Sequence, residues 1–502
     1  MTGQPIRGDL ARRWSIPLLL LTQMCTAVAI VALGDLAIRS AILLDATGLD
    51  SFWYHLPFAA ARAGVPISFE MSDTVRQQYN AFPALPELVQ GLLWRVTGSI
   101  NASGTANFIA FAAFLIYSHR VFRAPFWLVG IISLTAPLVL IHTTVNYVDL
   151  FSNAWVAIGV ASCLFAYLFP ERRSRTVVVG ALAALTLAAW SKYTMVPFVL
   201  ALLVLLTAMV LRSPTTYRFS RRQAAIVILS FAVLSAAPYA RNLVAYGNPI
   251  WPIRVPIAGA IFPFLGDPAG AGVEADRPPQ LRGAPQALVF VESLFETRNP
   301  VHYPDRPRWT LDQWEPGTTA HRMGGFWGLG VAVYLVVTGG LLIWYRRRAG
   351  ILAGIAGLAL LGLVAILPQS NELRYFQFIP LSWAAAIGML YPHLRVAHPR
   401  ATIALLALVL GMFGYVLSQN LGYFYVAPQS SRDIAAISGA DKWWPLLQPG
   451  KTYCAVQMPV ETAFFMTGPT LSEHSIVARS QPSLCPADTI ILTKEGIQGP
   501  AG

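Results

Sequence analysis

The stretch Thr194-Met-Val-Pro-Phe-Val-Leu-Ala-Leu-Leu-Val-Leu-Leu-Thr-Ala-Met-Val-Leu211 decides the class of this protein. Its eighteen residues hold no ionisable side chain, and a helix of that length reaches across the hydrocarbon core of a bilayer. Comparable apolar stretches run over 15–37, 100–118, 125–144, 149–169, 176–191, 223–240, 325–345, 349–367, 376–391 and 401–418. With 194–211 they predict eleven spans. The apolar run 176–211 is divided at Trp190-Ser-Lys192, because one helix of that length is nearly twice a normal span. The expected fold is an all-α polytopic membrane protein.

Composition points the same way. Of 502 residues, 36 are Lys or Arg and 24 are Asp or Glu, so 12% are charged, against about 25% in an ordinary soluble domain. Hydrophobic residues make up 55% and the mean hydropathy is +0.54. One soluble core cannot hide that much apolar surface. Collagen-like, disordered and disulfide-dense secreted chains are excluded on the same numbers.

The net charge of +12 raises nucleic acid as a partner until the charges are placed. With the N-terminus in the cytoplasm, the segments on that side hold 17 basic residues, from Arg7 to Arg400, against two acids, Asp9 and Glu171. The basicity is therefore an orientation signal and gives no support to nucleic-acid binding. It predicts a membrane protein with its N-terminus cytoplasmic and its C-terminus outside; the composition, with 4 Lys against 32 Arg, suggests a bacterial source, for which the membrane is the inner one and the outer side the periplasm. Arg12-Arg13 and Ala27-Val-Ala29 imitate a signal peptide, but the apolar run continues to Ala37, which favours an uncleaved anchor.

Three outer segments are more than turns. Loop 38–99 reads as helices on the membrane surface, notably 51–63 and 84–96. Loop 242–323 is rich in Pro, Gly and charge, and is expected to be ordered but irregular. The tail 419–502, with strand-like runs Lys451–Gln457 and Asp488–Lys494, is expected to form a small periplasmic α/β domain beside a transmembrane domain 1–418. Cys454 and Cys485 fall in that tail, where an oxidising compartment permits a disulfide. Cys25 and Cys163 lie in spans and read as packing residues. No CxxC or His/Cys spacing suggests zinc.

Chemistry is sought where charges sit at the outer membrane boundary, since a bilayer protein has little structural reason to hold them there. The first cluster is Asp45-Ala-Thr-Gly-Leu-Asp50-Ser-Phe-Trp-Tyr54-His55-Leu-Pro57. A carboxylate here can take a proton from a hydroxyl; equally, Asp50 can cap the helix that begins at Ser51. The second is His142-Thr-Thr-Val-Asn-Tyr147-Val-Asp149, where Asp149 is again either an N-cap or a second acid facing the first. The third group is basic: Lys192, Arg241 followed by Asn242, and Arg374 beside Glu372. Each cation can snorkel to headgroups, yet three on the side of both acids can also hold a phosphate.

The order Asp-x-x-x-Tyr-His-Leu-Pro (50–57), Tyr-Val-Asp-Leu (147–150), Lys-Tyr-Thr (192–194), Arg-Asn-x-x-x-x-Gly-Asn-Pro (241–249) and Arg-Tyr (374–375) before Pro380 resembles the bacterial GT-C glycosyltransferases. The likeness is to the protein mannosyltransferase and aminoarabinose transferase relatives, and covers roughly 1–420. It implies an enzyme that moves a sugar, with inversion, from a polyprenyl phosphate to a lipid, glycan or protein acceptor in the cell envelope. It implies Asp50 as base with Asp45 as fallback, and Asp149 as second acid with His55 nearby. Lys192, Arg241 and Arg374 would hold the donor phosphate, and Tyr54, Tyr147 and Asn242 would position substrate. No cofactor is implied. Two acids without a third ligand do not define a metal site, although a divalent ion stays open. The rival readings are a transporter or lipid flippase, an O-antigen ligase, and a scaffold presenting the tail. The scaffold reading requires that Asp50, Asp149 and Arg241 stay apart.

Overall fold

The structure is a computed structural model that describes residues 6–44, 50–254, 267–268, 281–297, 308–311, 323–424, 429–494 and 496–500. Among these residues, eight helices are long and apolar enough to cross a membrane. They are α1 (Ile6–Ile42), α5 (Thr105–Phe122), α8 (Asp149–Leu168), α10 (Val196–Arg212), α11 (Arg221–Tyr246), α13 (Gly328–Tyr345), α14 (Arg347–Ala365) and α16 (Pro399–Phe424). The other three expected spans are helical too, and each has a reason to fall short by length or apolarity. Residues 125–144 break into α6 (Phe126–Leu134) and α7 (Pro137–His142), because Pro137 has no N–H to continue α6 and is favoured in a first turn. Helix α9 (Arg175–Ala189) is fifteen residues long. Helix α15 (Phe378–Ala397) carries Pro392 and Arg395.

The division of 176–211 falls where the sequence places it. Helix α9 starts on a Ser174 side-chain cap and stops at Trp190. Lys192 is extended, a short 3₁₀ turn Tyr193–Met195 follows, and Pro197 opens α10. Helix α11 begins with a reciprocal Ser220/Gln223 capping box.

Burial identifies the middle of the bundle. The apolar window of α8 is 78% buried, against 17% for α1 and α11 and 11% for α14. Helix α8 is thus surrounded by protein, whereas α1, α11 and α14 turn their Leu, Ile and Val side chains outward to lipid. Helix α8 begins at Asp149, so the most enclosed span delivers its carboxylate to one end of the bundle.

The first outer loop folds as helices, as its sequence predicts. A five-residue π-helical turn, Ser51–His55, leads into α2 (Leu56–Ala63), with α3 (Asp73–Ala81) and α4 (Leu85–Thr97) beyond. Helices α2 and α4 approach closely at Gly91, where a Cβ would run into the Ala59 carbonyl oxygen. Much of loop 242–323 lies outside the described residues. Its described parts include the short parallel pair β2 (Ile253–Arg254) and β3 (Asp267–Pro268), and α12 (Gln286–Phe295). Glu296 ties α12 to α13, its carboxylate accepting from the Gly325 and Trp327 N–H groups at 2.8 and 2.9 Å.

The tail contains α17 (Ser431–Ser438), β4 (Thr452–Val456), α18 (Val460–Phe465), β5 (Ser475–Arg479), β6 (Ile490–Thr493) and β7 (Gly496–Pro500). Both strand-like runs are strands. The sheet is not made by the tail alone. Its order is β1-β5-β4-β6-β7, and β1 is Phe69–Glu70 of the first outer loop, parallel to β5 in the register Phe69↔Ile476. Phe52 and Leu56 of that loop share one apolar cluster with Phe464, Phe465, Ile476 and Leu492 of the tail. Cys454 and Cys485 are disulfide-bonded, with Cα atoms 5.8 Å apart. Cys25 and Cys163 are free and buried.

Candidate active site

Asp50 does not cap the turn it precedes. Its backbone is helical, it makes no capping hydrogen bond, and its N–H donates to the Tyr147 hydroxyl at 3.2 Å. Its carboxylate accepts from the Arg374 guanidinium at 3.1 Å. Arg374 spreads its other donors over the Glu372 carboxylate, at 3.2 Å, and the Tyr375 hydroxyl, at 3.0 Å. Its cationic plane lies over the Tyr147 and Tyr375 rings at 5.1 and 4.9 Å. A headgroup-seeking arginine would be exposed; Arg374 is 4% exposed.

Asp149 likewise is not the cap of α8, which is Val148. It sits in the first turn, where the helix dipole favours an anion. Its carboxylate is 1% exposed and accepts from Lys192 Nζ at 2.5 Å. Lys192 also faces the Tyr375 ring at 4.3 Å, so it points inward rather than to headgroups. The two ion pairs are joined through Tyr375 and through Asn153, whose amide donates to the Asp149 carbonyl at 2.8 Å and the Arg374 carbonyl at 3.5 Å. Asn107 fixes the approach to α8, donating to the Val145 and Tyr147 carbonyls and accepting from the Phe151 N–H.

Five predicted residues therefore come together: Asp50, Asp149, Lys192, Arg374 and Tyr147. Tyr54 joins them. Burial, and then the Asp50 charge, hold its hydroxyl well above the ordinary tyrosine range, so it stays a neutral donor. His55 points into the wall behind, where its Nδ1 lies 3.1 Å from Glu87, both side chains almost fully buried. Asp45 lies outside the described residues.

Arg241 and Asn242 belong to a neighbouring cluster. Arg241 is exposed, and donates to the Ala81 carbonyl and to Asn242 Oδ1, both at 2.9 Å. Asn242 donates to the same carbonyl at 2.9 Å and to the Tyr193 hydroxyl at 3.3 Å. Tyr193 donates to Ala81 and Trp251 carbonyls. As the residue after Lys192, it places the two clusters on one hairpin. Among the described residues no hydrogen bond joins Arg241 directly to the acids.

Sequence reasoning missed Glu87, Tyr193, Asn153, Asn107 and Arg62. Arg62 donates to the Tyr79 and Phe82 carbonyls and lies over the Tyr79 ring at 4.5 Å.

Chemically, Asp50 is the reachable acid, 17% exposed against 1% for Asp149. Arg374 occupies one carboxylate oxygen and leaves the other for a hydroxyl donor. Among the described residues no three His, Cys, Asp or Glu side chains gather as a metal site, and each acid is taken up by a cation instead. The cavity of 340 Å³ lined by Leu33, Phe108, Leu115, Ile116, His119 and Arg120 lies on the lipid-facing side of α1, α5 and α6, away from this cluster.

No family model matches the chain, and no curated protein matches it. Two solved structures do. They are the crystal structures of ArnT from Cupriavidus metallidurans, one in the apo state and one bound to undecaprenyl phosphate. Each is 14% identical to this chain with a TM-score of 0.38, over 92% of this chain and 86% of that one.

Proposed function

We propose that the protein is a GT-C-type glycosyltransferase of the bacterial inner membrane. It transfers a sugar from a polyprenyl phosphate to a cell-envelope acceptor on the periplasmic face. The observation that carries this reading is the meeting of Asp50 and Asp149 at one end of the bundle, each held by a cation. A scaffold presenting the tail has no need of that meeting. A transporter is expected to carry its charges near the bilayer midplane rather than at one face. The Cys454–Cys485 disulfide supports the orientation, since such bonds persist in an oxidising compartment.

In this mechanism the Asp50 carboxylate takes the proton of the acceptor hydroxyl as the oxygen attacks the anomeric carbon. The new glycosidic bond forms on the face opposite the phosphate, and the carbon–oxygen bond to the phosphate breaks. Configuration is inverted, and the polyprenyl phosphate leaves with the bonding pair. Arg374 holds and aims the Asp50 carboxylate through its 3.1 Å ion pair. Lys192 does the same for Asp149, which orients the acceptor. Cations near the leaving phosphate, Arg241 among them, lower the barrier by holding the charge that grows on it.

The test is radiolabel transfer from candidate polyprenyl-phosphate sugars in membranes with and without the protein. Transfer that requires the wild type and is lost in Asp50→Asn is expected. Equal transfer by a well-inserted Asp50→Asn variant removes Asp50 as the base.

A further inference from the structure

The 340 Å³ cavity on the lipid-facing side of the bundle has no part in the proposed transfer, and its shape is that of a groove for one chain. Its wall on α5 is Phe108, Ala112, Leu115, Ile116, His119 and Arg120, spaced by three and four so that they share one helix face. From Phe108 to Arg120 that stripe runs about 18 Å, against about 15 Å for the hydrocarbon of one leaflet. Leu33 of α1 and Phe126 of α6 form the flanking walls. The Phe108 end is apolar. The other end carries His119 and Arg120, both exposed, with Arg123 three residues on at the left-handed cap of α5. That end points away from the Asp50 cluster. Asn107, near the start of α5, donates to the Tyr147 carbonyl, and Arg120 stands about 20 Å further along the helix. In the orientation of the proposed function it is the cytoplasmic boundary.

The cations at this end have no acid to answer them among the described residues, where neither the Arg120 nor the Arg123 side chain makes a hydrogen bond or ion pair. Glu171, one of the two acids expected on that side, is held by Arg346 at 3.7 Å. His119 is fixed in place. Its Nδ1–H donates to the Ala124 carbonyl at 3.2 Å, and its ring meets Phe126 edge-on at 6.1 Å. In the neutral ring Nε2 is then an acceptor. The C-terminal dipole of α5 opposes an anion here, but α6 starts at Phe126 and brings its N-terminal dipole to the same edge, so the two offset. The arginines therefore set the sign of the field. Arginines that only snorkel to headgroups need no groove beneath them. Here an apolar groove of one leaflet's depth ends at a fixed imidazole and an unpaired guanidinium.

We infer that this groove binds an anionic glycerophospholipid of the cytoplasmic leaflet, with phosphatidylglycerol the headgroup that fits. One acyl chain lies along α5 between Leu33 and Phe126. The phosphodiester sits against the Arg120 guanidinium, and His119 Nε2 accepts from a headgroup hydroxyl. The bound lipid touches α1, α5 and α6 at once. It thereby ties α1, whose apolar window is only 17% buried, to the rest of the bundle. The site is separate from the proposed transfer and takes from that reading only the orientation.

The experiment titrates phosphatidylglycerol, and phosphatidylcholine with the same acyl chains, onto the full-length protein in detergent. Bound lipids are counted by native mass spectrometry and the melting temperature is recorded. Phosphatidylglycerol is expected to bind more tightly and to raise the melting temperature more. Arg120→Gln is expected to weaken phosphatidylglycerol about fivefold, the usual worth of one basic residue against an anionic lipid, and to leave phosphatidylcholine unchanged. Ala112→Phe fills the groove with the charges intact and is expected to weaken both lipids; Ile116→Trp serves if Ala112→Phe fails to fold. Arg348→Gln, exposed on the same side but outside the groove, is expected to leave both affinities unchanged. Equal affinity for the two lipids in the wild type overturns the anionic preference. A loss in Arg348→Gln as large as in Arg120→Gln overturns the site in favour of the general basicity of that face. Undiminished phosphatidylglycerol binding in the groove-filling variants overturns the groove. Displacement of phosphatidylglycerol by an equal concentration of undecaprenyl phosphate overturns the occupant in favour of a polyprenyl chain.

Discussion

The Lys192–Asp149 pair gives the sharpest quantitative test of how this site is built. Lys192→Met keeps the length and apolar stem of the side chain and removes its charge. Asp149, 1% exposed, then loses its 2.5 Å partner. Stripping one member from a buried pair costs about 3–5 kcal/mol. Two features of the structure lower that figure. Lys192 is 19% exposed, so part of its charge is already screened by water. Asp149 also stays in the first turn of α8, where the dipole returns up to about 1 kcal/mol. The expected loss is about 2–3 kcal/mol. It is read by equilibrium unfolding in mixed micelles against the wild type. The double variant Lys192→Met/Asp149→Leu removes both charges and is expected to return to within about 1 kcal/mol of the wild type, yet to stay inactive in sugar transfer. A single-variant loss below about 0.5 kcal/mol, the size of an exposed pair, would refute the buried-pair argument. So would a double variant no more stable than the single one.

Asp50→Asn is expected to lower transfer by about 10²–10⁴-fold, the range of a lost general base, at an unchanged melting temperature. Glu70 is held below the ordinary carboxylate range: burial raises it, but the hydrogen bonds and charges of Arg479 and Arg76 outweigh burial. Its contribution is therefore present above the unfolded-state value of about 4.3 and is lost as pH falls through the lower folded-state value. Glu70 is 43% exposed, so the effect is worth under about 1 kcal/mol. Amide exchange in β1 and β5 should accelerate on acidification in the wild type and much less in Glu70→Gln. Removing the Cys454–Cys485 disulfide, which spans 31 residues, is expected to destabilise the tail by about 3–4 kcal/mol, measured by limited proteolysis of the tail. Gly91→Ala drives a Cβ into the Ala59 carbonyl and should cost about 1–3 kcal/mol or more, seen as a lower melting temperature, because backbone cannot move aside as a side chain can.

The residues that sequence alone brings into view share one property. Asp50, Asp149, Lys192 and Arg374 are charges beside long apolar runs, where a charge needs a reason. Glu87 and Arg62 have the same chemistry and the same neighbourhood, but they lie inside amphipathic helices. There a charged residue every few positions reads as a solvated face, and only packing shows that Glu87 turns inward to His55. Strand β1 was hidden for a different reason. Two residues make no period, and Phe69 and Glu70 become a strand only because β5, some four hundred residues later, lies beside them. The spans were legible because a bilayer demands a length and an apolarity that survive in any context. Residues 125–144 show the limit: the apolar content is there, but Pro137 makes two helices of it, and the first turn of the second is held from outside by the bond from the Leu138 N–H to the Gly325 carbonyl.

The placement of Asp50 has a consequence for the tail. The turn Ser51–His55 is gripped from three directions: Arg374 and Tyr147 from the bundle, Glu87 of α4 through His55, and Phe465 of the tail, whose ring meets Phe52 edge-on at 5.5 Å. Phe52 is buried and stands two residues from the proposed base, so the tail helps to set the height of Asp50 above the bundle. Glu70 strengthens the same link by binding Arg479 of β5 across the sheet. A tail that loosens, by loss of the disulfide or of that ion pair, removes one wall of the Asp50 turn without touching a membrane span. Damage to the tail should therefore appear first as lost transfer and only later as lost insertion. The reverse order is expected for lesions at Lys192 or Gly91, where the perturbed contacts belong to the bundle itself or to the helices packed upon it.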